Sequence, residues 1–210
     1  MKFNEVKRLL NLCSYEDELF YCGFNNIAGV DETGRGSLAG PIVASAVILK
    51  RSAMLIDKLD DSKKIAPKNR NKIFRKIIKN CKCWSVAKLS STIIDRISLG
   101  NANILVMKKA VSKLKIKPDI VITDALDIDL KRFGIQSLPI INGDELSATI
   151  AAASIIAKVT RDRLMLKYSR LYPEYDFAQN KGYGTEKHIL MLKKHGPSKI
   201  HRVSFKGVLS

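Results

Sequence analysis

The chain has little of what a side-chain nucleophile or a cofactor enzyme needs. Its three histidines, His188, His195 and His201, are scattered with no partner at ligand spacing, so they read as structural or substrate-adjacent. Four cysteines, Cys13, Cys22, Cys81 and Cys83, include no C-x-x-C pair, which points to reduced structural thiols and not to a disulfide framework or a zinc site. There is no Gly-Lys-Ser/Thr, hence no phosphate loop. A loose Gly34-x-Gly36-x-x-Ala39 lacks the helix that a dinucleotide fingerprint needs directly after it, because Pro41 opens Ile-Val-Ala-Ser-Ala-Val-Ile-Leu, another strand. The longest apolar stretches, 41–49 and 148–157, fall far short of a membrane span, and residues 1–20 hold too short an apolar run for a signal peptide. The expectation is a cytoplasmic protein with no membrane partner. No internal repeat or low-complexity linker breaks the chain.

Acid is also scarce: 20 Asp and Glu stand against 37 Lys and Arg, for a net charge of +17. The excess sits in two blocks. Residues 50–82 hold 12 Lys and Arg against 3 Asp and Glu, and residues 158–210 hold 12 against 4, while 1–49 and 83–157 nearly cancel. A lysine-rich solvated surface would explain the average alone. It does not explain why the near-neutral segments carry the carboxylates that look like metal ligands. Basic flanks around an acidic centre suit a substrate with a phosphate backbone, which needs Lys and Arg, and a hard cation, which needs Asp and Glu.

With 210 residues, 46% of them hydrophobic, the chain can bury one good core. Ile27–Asp31, Ile42–Leu49 and Trp84–Leu89 read as strands of an antiparallel meander, with glycines and Pro41 punctuating the first turn. Pro67–Asn80 has helical spacing, with proline in its first turn. A helix over Asn103–Leu114, a buried strand Pro118–Thr123 ending at Asp124, a short strand Ser137–Ile141, a long alanine-rich helix from about Glu145 to Lys167 and a last helix Thr185–His195 follow. Strands first and then alternating helix and strand make a mixed α/β sheet. We expect three parts: a helical lead-in at 1–26, a core at 27–170, and a helical extension of the same domain at 171–210.

Asp31 and Glu32 close the first apolar run and are followed at once by Gly34-Arg35-Gly36. An acidic pair at a strand end can bind a divalent cation, and a glycine-flanked loop lets backbone approach a sugar-phosphate chain. Asp124 ends a strand as Asp31 does; if the two strands are neighbours, both carboxylates leave the same sheet edge. Asp144 can join them, although it is equally placed to cap the alanine-rich helix. Four such carboxylates would hold two Mg²⁺ or Mn²⁺ ions about 4 Å apart, and no His, Ser or Cys nucleophile is then needed. Backbone at Gly34, Arg35 and Gly36 can engage a 2′-hydroxyl, the feature that separates RNA from DNA. Lys63, Lys158 and Arg161 are candidate phosphate clamps, although Lys158 and Arg161, at i and i+3, also fit a solvated helix face.

Several blocks together carry a family resemblance. Ile27-Ala-Gly-Val-Asp-Glu-Thr-Gly-Arg-Gly-Ser-Leu-Ala-Gly-Pro41, Asp61-Ser-Lys-Lys64, Ser154-Ile-Ile-Ala-Lys-Val-Thr-Arg-Asp162, Tyr172-Pro-Glu-Tyr175, Asn180-Lys-Gly-Tyr-Gly-Thr185 and His201-Arg-Val-Ser-Phe205 resemble the successive blocks of bacterial ribonuclease HII. The resemblance implies a ribonuclease H-like fold: a mixed five-stranded sheet flanked by helices, with a small helical C-terminal extension. It implies a monomeric, Mn²⁺- or Mg²⁺-dependent endoribonuclease whose partners are RNA–DNA hybrids and ribonucleotide-containing duplex DNA, and whose products end in 5′-phosphate and 3′-hydroxyl. It implies Asp31, Glu32, Asp124 and Asp144 as metal ligands, and Tyr183 as the residue that stacks on the sugar after the ribonucleotide. Two positions depart from the family pattern: Thr33 stands where Ala is usual, and Ala125 where Gly is usual. The first removes no ligand; the second puts fine geometry in question. A different ribonuclease H-fold nuclease and a non-catalytic basic nucleic-acid-binding protein are the rival readings. A duplex with one embedded ribonucleotide separates the first, and metal-dependent cutting separates the second.

Overall fold

The computed structural model describes residues 1–209. Helices α1 (Phe3–Leu12) and α2 (Ser14–Tyr21) lead into β1 (Ile27–Thr33) and β2 (Ile42–Leu49), followed by α3 (Pro67–Asn80) and β3 (Cys81–Leu89). Next come α4 (Ser91–Ile97), α5 (Leu99–Ser112), β4 (Ile120–Asp124), β5 (Gln136–Ile140), the single turn α6 (Gly143–Leu146) and the long α7 (Ala148–Leu171). Two shorter helices, α8 (Phe177–Asn180) and α9 (Glu186–His195), complete the order. The five strands form one mixed sheet, in the order β3-β2-β1-β4-β5. β1, β2 and β3 pair antiparallel as the expected meander, while β4 and β5 add in parallel.

Burial on both faces explains the unbroken apolar run of β2. Ile42, Ala44, Ala46 and Ile48 face the layer that holds Val106 and Met107 of α5, whereas Val47 and Leu49 face Ile73 and Ile77 of α3 and Ile155 and Ile156 of α7. β3 alternates instead: Cys83, Ser85 and Ala87 are buried, while Lys82, Trp84 and Lys88 are exposed, as befits an edge strand with charge on its outer side.

Two contacts fix the start of α7 over the end of β1. A Cβ at Gly29 would lie 2.2 Å from the Thr149 carbonyl carbon, so only glycine lets the helix cross this strand so closely. Glu16 of α2 is fully buried, and one of its carboxylate oxygens accepts from Ser147 Oγ at 2.5 Å, Thr149 N at 2.8 Å and Thr149 Oγ1 at 2.7 Å. Leu9 and Leu12 of α1 also enter the main core, so the N-terminal helices are packed parts of it.

Helix bounds differ from expectation in one informative place. The alanine-rich helix does not begin at 145. Ser147, extended at φ −132°, caps α7 by accepting from Ile150 N, and the residues before it form the separate turn α6. Asp144 therefore sits in its own short turn and is not the cap of the long helix. Beyond α7, Tyr175, Phe177, Leu192 and Val208 form a second, smaller core with Met165 and Ala39.

Candidate active site

β1 and β4 run side by side and parallel, with Val30 opposite Thr123. The next residue on each strand is therefore an aspartate at the same edge, Asp31 beside Asp124. A cleft of about 470 Å³ opens there, lined by Asp31, Glu32, Asp124, Lys63, Lys158 and Tyr183 among others, together with Gly34, Arg35 and Gly36. Asp144 borders it through Lys63, whose Nζ lies 3.3 Å from Asp144 Oδ2.

Each carboxylate has a donor of its own. Asp31 Oδ1 accepts from Glu32 N at 2.7 Å, Glu32 Oε1 from Asn103 Nδ2 at 3.2 Å, and Asp124 Oδ1 from Gly143 N at 2.8 Å. Arg35 Nη1 approaches Glu32 at 3.6 Å from an exposed position. These donors do not offset the crowding of charge. Burial, and then the charge of Glu32, hold the Asp31 carboxyl well above its ordinary range, against an opposing hydrogen bond from Ser154. Glu32 is raised by burial, with Arg35 and Asn103 opposing, and Asp124 is raised by burial and then by Asp144.

Among the described residues, no three His, Cys, Asp or Glu side chains stand preassembled around a single ion position. The expected four-carboxylate cage is therefore an acidic cleft whose members lean on separate donors, because like charges at one strand edge are most stable apart. The donor set still fits a hard divalent cation: its ligand atoms are carboxylate oxygens, buried and penalised for their charge, at the edge of an open cleft.

The loop and the basic residues fall into two groups. Gly34 has φ +91°, and a Cβ there would lie 2.2 Å from Arg161 Nε, so the fold itself demands glycine. At Gly36 a Cβ meets nothing within 4 Å; no intramolecular contact requires glycine there. Tyr183 lines the cleft, with Lys158 Nζ 5.8 Å and Arg161 Cζ 5.5 Å from its ring centroid. Lys158 also pairs with Asp162 at 2.9 Å.

Arg161 is a correction to the sequence reading. It is fully buried, and its guanidinium donates to the carbonyls of Pro41 (3.0 Å), Ala39 (3.1 Å) and Lys181 (2.9 Å), leaving no free face for a phosphate. Helical spacing places it beside Lys158 but does not reveal that the loop 34–41 folds over it. Arg202 does the same work from the other side. Also fully buried, it donates to Gly34, Arg35 and Gly40 carbonyls at 2.6–3.1 Å.

Residues that sequence reasoning passed over complete the cleft. Asn103 holds Glu32, Arg70 lines the wall, and Ser154 supports Asp31 with its Oγ 2.7 Å from Ser62 Oγ. Asp61 is buried and feels the charge of Asp144. Asp61, Ser62 and Ser154 lie in blocks that carried the resemblance, which was their available signal; Asn103 and Arg70 stood out by nothing in the sequence.

A mixed five-stranded sheet carrying adjacent carboxylates at one edge, Asp31 buried and Asp124 half-buried, beside a backbone-rich loop on a strongly basic chain, defines a metal-dependent nuclease of the ribonuclease H type. The family model described as Ribonuclease HII matches residues 28–208. The ribonuclease HII of Caldicellulosiruptor bescii is 48% identical over 201 residues, covering 95% of this chain and 96% of that protein. Among solved structures, the ribonuclease H2 of Pyrococcus horikoshii superposes with a TM-score of 0.76 at 28% identity, over 87% of this chain and 95% of that one. The RNase HII of Archaeoglobus fulgidus, solved in complex with PCNA, gives 0.68 at 26% identity, over 80% and 87%. The chain belongs to the ribonuclease HII family. It is a divalent-metal-dependent hydrolase of phosphodiester bonds with ribonuclease H activity.

Proposed function

We propose that the chain cuts the RNA strand of RNA–DNA hybrids and the 5′ side of ribonucleotides embedded in duplex DNA, leaving 5′-phosphate and 3′-hydroxyl ends. The observation that carries this reading is the pairing of β1 with β4, which puts Asp31 and Asp124 at one edge of a cleft that Gly34-Arg35-Gly36 also lines. Asp31, Glu32, Asp124 and Asp144 are the residues that hold Mn²⁺ or Mg²⁺; carboxylate oxygens suit either ion. When bound, the ions supply the Lewis acidity that activates water and stabilises the leaving oxygen.

The chain's own residues choose and align the substrate. Main-chain groups at Gly34, Arg35 and Gly36 engage the 2′-hydroxyl; the free space over Gly36 supports this, since close approach by a ribose is then what glycine serves there. Tyr183 stacks on the sugar of the following nucleotide and favours a deoxyribose. Lys63 and Lys158 meet phosphates: each has its acidic partner at one side and the cleft at the other. A monomer is the proposed working form. The four free thiols fit a reducing compartment such as the cytoplasm. No described helix is long and apolar enough to cross a membrane. Tyr183, which lines the cleft, supports a substrate-binding role for residues 171–210.

The test is a duplex with a single ribonucleotide, incubated with the purified chain with and without Mn²⁺ or Mg²⁺. Cutting 5′ of the ribonucleotide only with metal is the expected result. Binding without cutting under every condition would leave the rival of a non-catalytic binder standing.

A further inference from the structure

The histidines that looked scattered in sequence meet in space. His188, near the start of α9, and His201 are buried, with their Nε2 atoms 3.0 Å apart. The surroundings fix which nitrogen carries each proton. Ser198 N donates to His201 Nδ1 at 2.8 Å, so that nitrogen is an acceptor and Nε2 carries the hydrogen. His201 Nε2–H then donates to His188 Nε2, which leaves His188 Nδ1–H to donate to the Tyr183 carbonyl at 2.8 Å. One directional chain of hydrogen bonds runs from Ser198 through two neutral rings to the main chain of Tyr183.

The chain of bonds has a second anchorage. Ser37 and Tyr183 form a β-bridge, as do Ala39 and His201; Leu38 N donates to Gly182 O and Arg202 N to Leu38 O, each at 2.8 Å. The histidine pair thus closes a ring of contacts joining the 183 loop, the segment 37–39 behind Gly34-Arg35-Gly36, and the 198–202 segment. Packed around it are Tyr175, whose ring centroid is 4.8 Å from that of His201, and Phe177, 5.4 Å from His188. Arg202, next in the chain, turns its guanidinium to the carbonyls of Gly34, Arg35 and Gly40. Burial lowers the pKa of both rings, that of His201 to about 4, where His188 adds to the effect. A proton added to the pair would set His201 Nδ1–H against the Ser198 N–H, with only the Ser198 hydroxyl at 2.8 Å able to accept, or put two donors face to face between the rings.

We propose that His188 and His201 are positioning residues for Tyr183: as a neutral hydrogen-bonded pair they hold its main chain against segment 37–39, and thereby set how strongly the enzyme prefers a deoxyribose after the ribonucleotide. The inference deepens the reading of Tyr183 given above and rests on it for the second half. Neither ring touches the reacting atoms.

The experiment uses the full-length protein in three arms. Imidazole ¹⁵N spectra at pH 7.5 should find His188 in the Nδ1–H form and His201 in the Nε2–H form; the opposite tautomers, or a protonated ring, overturn the proposal. Tyrosine-labelled protein, with the Tyr183 signal assigned from Tyr183→Phe, should have that signal moved by His188→Phe and by His201→Leu, and largely restored by His201→Gln, which keeps an acceptor and a donor. An unmoved signal in a folded His188→Phe protein overturns the proposal whatever the kinetics. Finally, the ratio of single-ribonucleotide to continuous-hybrid cleavage should fall about tenfold in His188→Phe, the scale expected of a small misplacement near a reacting centre. If Tyr183→Ala leaves that ratio at the wild-type value, the stacking role of Tyr183 falls. If Tyr183→Ala lowers it and His188→Phe does not, the histidine inference falls alone.

Discussion

At the end of β1 the protein buries carboxylates against neutral or exposed donors; beneath the loop 34–41 it buries two guanidiniums, Arg161 and Arg202, against backbone carbonyls. Among the described residues, neither of these arginines makes an ion pair. Taking an ion out of water costs several kcal/mol even after relaxation, so an acidic edge met only by Arg35 and Lys63, and two guanidiniums with no carboxylate partner, are expensive for the fold. The two clusters are kept apart. The acidic edge is left for a cation. The guanidiniums turn inward, shape the loop, and add positive potential under the place a phosphodiester would cross. The lesson of the contrast is that one excess charge faces the cleft and is available to a ligand, while the other is consumed in holding backbone.

Asp31→Asn tests the outward-facing half and carries the largest expected effect. Loss of a metal ligand should cut the cleavage rate by roughly 10³-fold or more, since metal ions supply several kcal/mol of transition-state stabilisation and each 1.4 kcal/mol is tenfold. Hybrid binding should stay intact or tighten, because a repelling charge is gone. Retained turnover would remove Asp31 from the ligand set.

Arg202→Met tests the inward-facing half. Three carbonyls, at Gly34, Arg35 and Gly40, lose their buried donor. At about 1–3 kcal/mol for each unsatisfied group, with partial relaxation, denaturant unfolding should report a loss of roughly 3 kcal/mol or more. A loss under about 1 kcal/mol would mean that the loop holds its shape without the guanidinium.

The next effect is pH-dependent. His201 in the folded protein has a pKa lowered to about 4, from an ordinary value near 6.5. A group depressed in the native state contributes stability that is present above about pH 6.5 and is lost as pH falls toward and below 4. Wild type should therefore lose stability relative to His201→Gln across that window, by on the order of 2 kcal/mol, in parallel urea titrations. A constant difference between the two proteins would place the ring in water.

The smallest effect concerns the acidic edge. Ala125, directly after Asp124, has φ 54°, a left-handed conformation that costs a non-glycine residue roughly 1 kcal/mol. This accounts for the glycine usual at that position in the family. Ala125→Gly should relieve the strain and stabilise by a few tenths to 1 kcal/mol, net of the greater chain entropy of glycine. Destabilisation would mean that the alanine methyl group makes a packing contact worth more than the strain.

Much of this was legible in the sequence because it depends on local pattern. Two strand ends carrying aspartates, a glycine loop, the Pro67–Asn80 helix and the Ile42–Leu49 strand follow from periodicity and residue type, which act over a few positions. The motifs carried the family. What the sequence left open depends on which distant segments meet. The pattern lets Asp144 either join the metal-binding carboxylates or cap the long helix, whereas its turn is separate and Ser147 is the cap. Arg161 was read from its helical neighbour Lys158, whereas its environment is set by Pro41, Ala39 and Lys181. His188 and His201, 13 positions apart, carry no spacing rule, yet the rest of α9 and the turn after it bring their rings together. Composition and order of residues determined the sheet, the aspartates at its strand ends and the basic setting. Tertiary packing alone decided which buried charge faces a ligand and which faces the backbone, because the cost of burying a charge is set by its surroundings in space.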